Sequence, residues 1–441
     1  MSLARQLSTA IVLWLCGAGA DACAQTYVVT DLGSLGGGRG SGAYAHRGGI
    51  SAGYSFIPGP ALVHALVNDR GVVRDLGTLG GSQSLARGVN ASGDVVGWSY
   101  LAGSMTQRAF LWRGGVMQDL GTLGGGKGDA QDINDVGLIV GAASDSAGHD
   151  RGFWWREGVM HDIGTLGGTG SRANAVNDFG EFTGWANLAG DDEPHAFLSK
   201  PGSPLYDLGT LGGPTSHGWG VNNQIHICGW TELEVNSPVS RGFLWADGLM
   251  KSLGTLGGIY SAAFGLNDLD EVVGASTRAT EVQAAFIWRQ GQMYDLNTLI
   301  PAGSGWFLRA AWAIENDGTI VGEGVRPDGQ SRGFLLTPIS AADVPEADGD
   351  HLALLGPYPN PVAGQAYFDL VLPSARQVEI RICDVSGRAR RTISRGWQGA
   401  GRLRLRWDAR DDAGAPVSAG VYWAVVSTPT QALSRRITVV R

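Results

Sequence analysis

An all-β fold made of repeated four-stranded units is predicted by three features of the sequence. A block reading DLGTLGG, or a close variant, starts at Asp31, Asp75, Asp119, Asp162, Asp207, Ser252 and Asp295, at spacings of 44, 44, 43, 45, 45 and 43 residues. Glycine is abundant, 70 of 441 residues, and follows no collagen-like period. Hydrophobic residues make up 43% of the chain, which argues for a folded protein whose glycines serve turns. A period of this length is the mark of a repeat architecture and governs every later reading.

Four strands fall out of the second unit, at 84–90, 94–99, 108–113 and 116–120, each short and rich in β-branched or aromatic residues. Asn90-Ala91-Ser92-Gly93 and its counterparts at 134–137 and 177–180 put residues that tolerate positive φ into a tight hairpin. Arg113-Gly114-Gly115 does the same between the third and fourth strands. Fifteen residues after the motif start stand Asn90, Asn134, Asn177, Asn222 and Asn267, with His46 at the same count in unit one. Twenty-two residues after it stands a glycine in each of the first six units, from Gly53 and Gly97 to Gly274. Length varies mainly in the loop between the second and third strands. Four short strands per unit match a propeller blade. Unit seven lacks a fourth strand, and Thr26–Thr30 supplies a spare one before the first motif. A seven-bladed β-propeller closed by that strand is therefore expected, because pairing removes two exposed sheet edges. An open solenoid is the alternative.

Residues 1–24 read as a secretory signal, with Arg5, an apolar run over 10–16 and an Ala22-Cys23-Ala24 cleavage site. The run is too short to span a bilayer, and no later stretch is long enough. Residues 25–337 hold the repeats and 338–355 an acidic linker. Residues 356–441 alternate as strands of a small β-sandwich, expected at 366–372, 377–383, 402–408, 421–427 and 436–440. This last region carries 13 Arg against 6 Asp or Glu, whereas 25–355 carries 19 Lys or Arg against 34 Asp or Glu. An acidic body argues against a nucleic-acid partner.

The repeats resemble the HAF family of extracellular repeats. The motif stands as His195-Ala196-Phe197, with Arg108-Ala109-Phe110, Arg151-Gly152-Phe153 and Arg241-Gly242-Phe243 as variants. The resemblance covers 26–337 and implies an extracellular protein without an established reaction. The C-terminal region, with Tyr358-Pro359-Asn360-Pro361, Asp384-Val385-Ser386-Gly387 and Gly420-Val421-Tyr422, resembles Ig-like C-terminal domains. These include type IX secretion sorting signals and the FlgD-type Ig-like module. A partnership with secretion machinery is implied, although Arg435, Arg436 and Arg441 stand where sorting domains often carry lysine.

The residues spell out no catalytic, cofactor or metal motif. The glycine block is not followed by Lys-Ser/Thr, no histidines have zinc spacing, and the recurring serines sit in no nucleophile elbow. The motif aspartates read as acceptors for turn N–H groups. Candidate ligand-binding residues are the aromatics after the glycine, Tyr54, Trp98, Trp185 and Trp230, and the acidic loop Asp191, Asp192 and Glu193. The aromatics suit stacking on a carbohydrate ring or packing between units. The expected function is a secreted or cell-surface, non-catalytic binding or adhesion scaffold exported through its C-terminal domain. The alternative is a propeller enzyme cleaving polysaccharide with loop carboxylates, which needs two of them at paired separation.

Overall fold

The computed structural model describes residues 26–59, 62–190, 193–235, 239–338, 352–358, 362, 364–372, 374–399, 401–428 and 432–440. The expected signal segment and Asp191 and Asp192 lie outside them. Among the described residues there is no α-helix, only the 3-10 turns Leu296–Thr298 and Ala302–Ser304. Two compact units are present, one ending at Pro338 and one starting at Ile339.

The first unit consists of seven small antiparallel sheets of four strands. In the second repeat these are Gly80–Val89, Val95–Leu101, Gln107–Arg113 and Val116–Asp119, paired in chain order. The first strands of the seven repeats are Ser41–Arg47, Gly80–Val89, Gly124–Ile133, Gly167–Val176, Ser216–Val221, Gly257–Leu266 and Phe307–Ile314. Each packs against the first strand of the next repeat, and Ser41–Arg47 also packs against Phe307–Ile314. Sheets five and six share one parallel bridge, Ser240 with Tyr260.

The recurring glycine and the recurring phenylalanine explain each other. Gly97 pairs with Ala86 on one side and Phe110 on the other, and Gly141 likewise with Ala130 and Phe153. A Cβ on Gly141 would lie 2.2 Å from the Asp129 carbonyl oxygen and 2.9 Å from Phe153 Cε1. Only a bare backbone lets the first strand approach while the aromatic ring covers the second. Phe110, Phe153, Phe197, Phe243, Phe286 and Phe334 are all fully buried. Each such ring contributes about 1.5–3 kcal/mol from burial.

The motif turn is held by its own side chains. Asp75 Oδ1 accepts the Gly77 N–H at 2.8 Å, and Asp119, Asp162 and Asp207 repeat that bond. His64 and His195 lie against Asp75 and Asp207, as Arg151 does against Asp162. Ser84 Oγ accepts from Ala65 N and donates to the Gly77 carbonyl, fastening one sheet to the next. Ser171, Ser216 and Ser261 do the same.

In the seventh sheet, Phe307–Ile314, Ile320–Val325 and Ser331–Pro338 are completed by Tyr27–Asp31 from the other end of the unit. The pairing is antiparallel, from Tyr27 with Pro338 to Asp31 with Phe334. Tyr27 N donates to Leu299 O at 2.8 Å, and its ring shares a buried cluster with Leu299, Phe334 and Leu336. This repeat carries five extra residues between Asp295 and Glu315, and Leu299 within that stretch covers the seam strand.

In the second unit, Ala353–Tyr358, Ala366–Leu372 and Gly401–Trp407 form one sheet. Ala389–Gln398, Arg376–Asp384, Gly420–Ser427 and Ala432–Val439 form the other. Phe368, Leu370, Ile380, Ile382, Trp407, Val426 and Ile437 share one buried core. The strand Ala353–Tyr358 begins inside the segment read from sequence as linker. Ala389–Gln398 was not anticipated, because its run of arginines masks the alternation.

Deleting Thr26–Thr30 exposes the edge of Ser331–Pro338 and uncovers Leu336. A sharply lower melting temperature and oligomers on size exclusion are expected, and an unchanged monomeric protein would contradict the seam. Gly141→Val is expected to cost about 3 kcal/mol in denaturant unfolding, the scale of an overpacked core site. Glu193→Ala, in an exposed loop, should stay within about 0.5 kcal/mol of the native chain.

Candidate functional site

Each first strand carries a β-bulge directly after the residue that pairs with the recurring glycine of the second strand. Pairing with the second strand slips between Ala43 and Ala45, Ala86 and Gly88, Ala130 and Asp132, and Ala173 and Ala175. It slips again between Gly218 and Gly220, Ala263 and Gly265, and Ala311 and Ala313. The residues left unpaired are Tyr44, Arg87, Gln131, Asn174, Trp219, Phe264 and Trp312. A bulge turns its side chain away from the regular alternation of the strand. Here all seven line one cavity of about 220 Å³, which the first strands of all seven repeats enclose. No two neighbouring repeats place the same residue there.

The next position is small in six repeats, Ala45, Gly88, Ala175, Gly220, Gly265 and Ala313, and acidic in the third, Asp132. Asp132 accepts from Ile133 N at 2.8 Å and from Val176 N of the next repeat at 3.0 Å. Burial pushes its carboxyl up to about 6, against the pull of those two N–H groups and of the Arg47 charge.

The turn asparagines form a chain of latches between sheets. Asn134 Nδ2 donates to Asn177 O at 2.9 Å, Asn177 to Asn222 O at 2.9 Å, and Asn222 to Asn267 O at 3.0 Å. Asn90 to Asn134 O and Asn267 to Glu315 O continue the chain at 3.3 and 3.1 Å. A second row runs beside it, where Asn223 N donates to Asp268 Oδ1 and Gly48 N to Glu315 Oε1. A buried hydrogen bond of this kind contributes about 0.5–1.5 kcal/mol. In the first repeat the bulge comes one residue later, so Arg47 takes the asparagine's place and His46 does not. Arg47 Nη2 reaches Asp135 of the third repeat at 3.0 Å and Asp178 of the fourth at 2.7 Å. This bridge crosses the turn end of the cavity.

The aromatics singled out from sequence lie on second strands and are half-buried. Tyr54, Trp98, Trp185 and Trp230 sit opposite Gly42, Leu85, Arg172 and His217 of the first strands. Trp230 stacks on His217 at 4.3 Å, and Trp185 of the preceding repeat meets the same ring at 5.8 Å. Burial pushes His217 down to about 4, leaving it a neutral ring near neutral pH. Tyr54 stacks on Tyr44 of the cavity at 5.7 Å. Glu193 is exposed, and its carbonyl accepts Leu188 N at 3.1 Å. The bulge residues are not legible as a site in the sequence because each stands as a single interruption within a repeating strand. The available signal was a position whose residue changes from each repeat to the next while the residues on either side are Ala or Gly, apart from Asp132 in the third repeat.

Among the described residues, no three His, Cys, Asp or Glu side chains converge as a metal site. No helix there is long and apolar enough to cross a membrane. Cys228 and Cys383 are buried free thiols.

Residues 362–432 match the FlgD Ig-like domain. The C-terminal unit therefore carries an Ig-like domain of that type. No curated protein sequence matches the chain. Among solved structures it is similar to PorZ of Porphyromonas gingivalis, described as an essential bacterial surface component of the type IX secretion system. That match has 12% identity and a TM-score of 0.39, over 90% of this chain and 59% of PorZ. TolB from Acinetobacter baumannii follows at 11% identity and 0.38, over 66% of this chain and 64% of that one. Dimeric latent PorU from Porphyromonas gingivalis matches at 11% identity and 0.18, over 94% of this chain and 34% of its own.

Because the folded state favours neutral Asp132, its contribution to stability is full below the unfolded value of 3.8 and is lost as pH rises through about 6. Asp132→Asn has no such titration. The unfolding free energy of the native chain should therefore fall relative to Asp132→Asn between pH 4 and 7 on the scale set by that window. A difference that stays flat across the range would show that Asp132 ionises normally.

Proposed function

We propose that this chain is a secreted or cell-surface, non-catalytic binding scaffold. In this reading the seven sheets are the blades of a β-propeller of the HAF-repeat kind, its ligand site is the central cavity, and the Ig-like domain serves export or attachment. The observation that carries it is the convergence of seven bulge residues, of six kinds, on one cavity inside an otherwise repeating scaffold. Repetition serves packing, so chemistry that departs from it at a single register position points to recognition. Contact between the first and seventh sheets and the pairing of Tyr27–Asp31 support closure of the propeller.

Binding is favoured over bond cleavage by the state of the nearby carboxylates. Asp132 spends both oxygens on backbone N–H groups, and Asp129 Oδ2 takes Gln131 Nε2 and pairs with Arg172. Neither is arranged as a free acid beside a free base.

The export role is tested by truncation after Pro338 in the native host. The propeller should stay folded but remain inside the envelope, while the full chain reaches added protease at the surface. Equal surface delivery of both forms would remove the export role from the Ig-like domain. The scaffold role is tested by retention of the purified full chain on washed host cells. Trp219→Ala should stay folded at the assay temperature and lose retention, and unchanged retention in a folded variant would move the binding surface elsewhere.

A further inference from the structure

The cavity wall divides into two arcs of different chemistry. Through repeats five, six, seven and one, the bulge residues are Trp219, Phe264, Trp312 and Tyr44. Trp219 meets Phe264 edge-on at 5.8 Å, Phe264 stacks on Trp312 at 4.3 Å, and Trp312 meets Tyr44 edge-on at 5.2 Å. The rings therefore make one continuous apolar surface. Repeats two, three and four supply Arg87, Gln131 and Asn174. Arg87 lies over the Tyr44 ring at 5.1 Å, where the two arcs join.

Several buried polar atoms of this wall have no hydrogen-bond partner among the described residues. They are the donors Trp219 Nε1, Trp312 Nε1 and Arg87 Nε, and the acceptor Asn174 Oδ1. Asn174 is 7% exposed, and its Nδ2 is already committed to the Gly218 carbonyl, which fixes its oxygen as the free group. Gln131, 8% exposed, is oriented in the same way, with Nε2 held by Asp129 at 2.7 Å. Its carbonyl oxygen remains as a second acceptor. Buried groups of both kinds, left unpaired inside one cavity, call for a ligand that can satisfy donors and acceptors together.

Three ligand classes meet this wall differently. A hydrocarbon would cover the aromatic arc and leave every polar atom unpaired. An anion would take Arg87 and the two indoles but would face the amide oxygens of Asn174 and Gln131, with Asp132, Asp135 and Asp178 close by. A hydroxylated ring lays its C–H face on the aromatic arc while its hydroxyls both accept and donate. The cavity is also below the roughly 300–1,000 Å³ typical of sites for drug-sized ligands, which suits one ring rather than a chain.

We propose that the central cavity binds a single neutral sugar ring, stacked on the Trp219–Phe264–Trp312–Tyr44 arc and hydrogen-bonded by Arg87, Gln131 and Asn174. This rests on the scaffold reading above and names its ligand class. Arg47 bridges the turn end, so the sugar enters from the end that carries the glycine motif and the long loops.

The test is titration of the purified full chain with glucose, galactose, mannose and N-acetylglucosamine, read by tryptophan fluorescence. Glucuronic acid and cyclohexanol are run beside them. At least one neutral sugar should give a saturable change at millimolar concentration. Arg87 forms no ion pair among the described residues, and Arg87→Met should weaken that sugar by about tenfold or more. Trp98→Leu, outside the cavity, should leave the affinity unchanged. Absence of any saturable neutral-sugar signal overturns the proposal. So does tighter binding of glucuronic acid or cyclohexanol, or loss of binding in Trp98→Leu with retention in Arg87→Met. Retention on host cells is measured without these sugars, so failure here leaves the scaffold reading to its own experiment.

Discussion

The pairing of Tyr27–Asp31 with Ser331–Pro338 joins the two ends of the repeat array, and the cavity depends on it. A sheet of four short strands cannot bury both of its faces, so each repeat relies on a neighbour on either side. An array of seven would still have two bare faces and a bare edge. The seam strand covers the edge of the seventh sheet, and packing of Ser41–Arg47 on Phe307–Ile314 brings the first repeat against the last. Only then do seven first strands surround one space. The turn latches depend on the same circuit, because each asparagine reaches a carbonyl of the following repeat.

The scaffold and the site are built from different positions of the same strand. Glycine, phenylalanine, serine and the motif aspartate recur because each solves a packing or turn problem posed identically in every repeat. The bulge position has no such duty. Its side chain is excluded from the ladder, so it is free to differ without disturbing the pairing on either side. Four successive repeats use that freedom for aromatic rings and three for polar groups. Sorting into two arcs, rather than scattering, is what turns a by-product of strand geometry into a surface with a direction.

The first repeat shows how a small departure in length acts at a distance. One residue more before the bulge and one fewer in the turn put Arg47 where an asparagine would stand. A long cation there cannot make the short latch, and it reaches across to Asp135 and Asp178 instead. Counting from the motif put His46 at this place. Counting cannot see a compensated insertion and deletion, whereas strand pairing registers it.

The sequence by itself determined the repeat, its period, the four strands of each unit and the spare strand at the seam. These follow from local rules: turn residues that accept positive φ, glycine where no Cβ fits, and alternation along short strands. It also marked the C-terminal sandwich, although the arginine-rich strand Ala389–Gln398 and the early strand Ala353–Tyr358 broke the alternation and were passed over. Tertiary structure alone decided which residues meet. Tyr44 and Trp312 are far apart in the chain, and nothing local says that their rings touch. That contact comes from first strands of different repeats facing one cavity, and the turning of each side chain into it comes from a bulge that only pairing reveals.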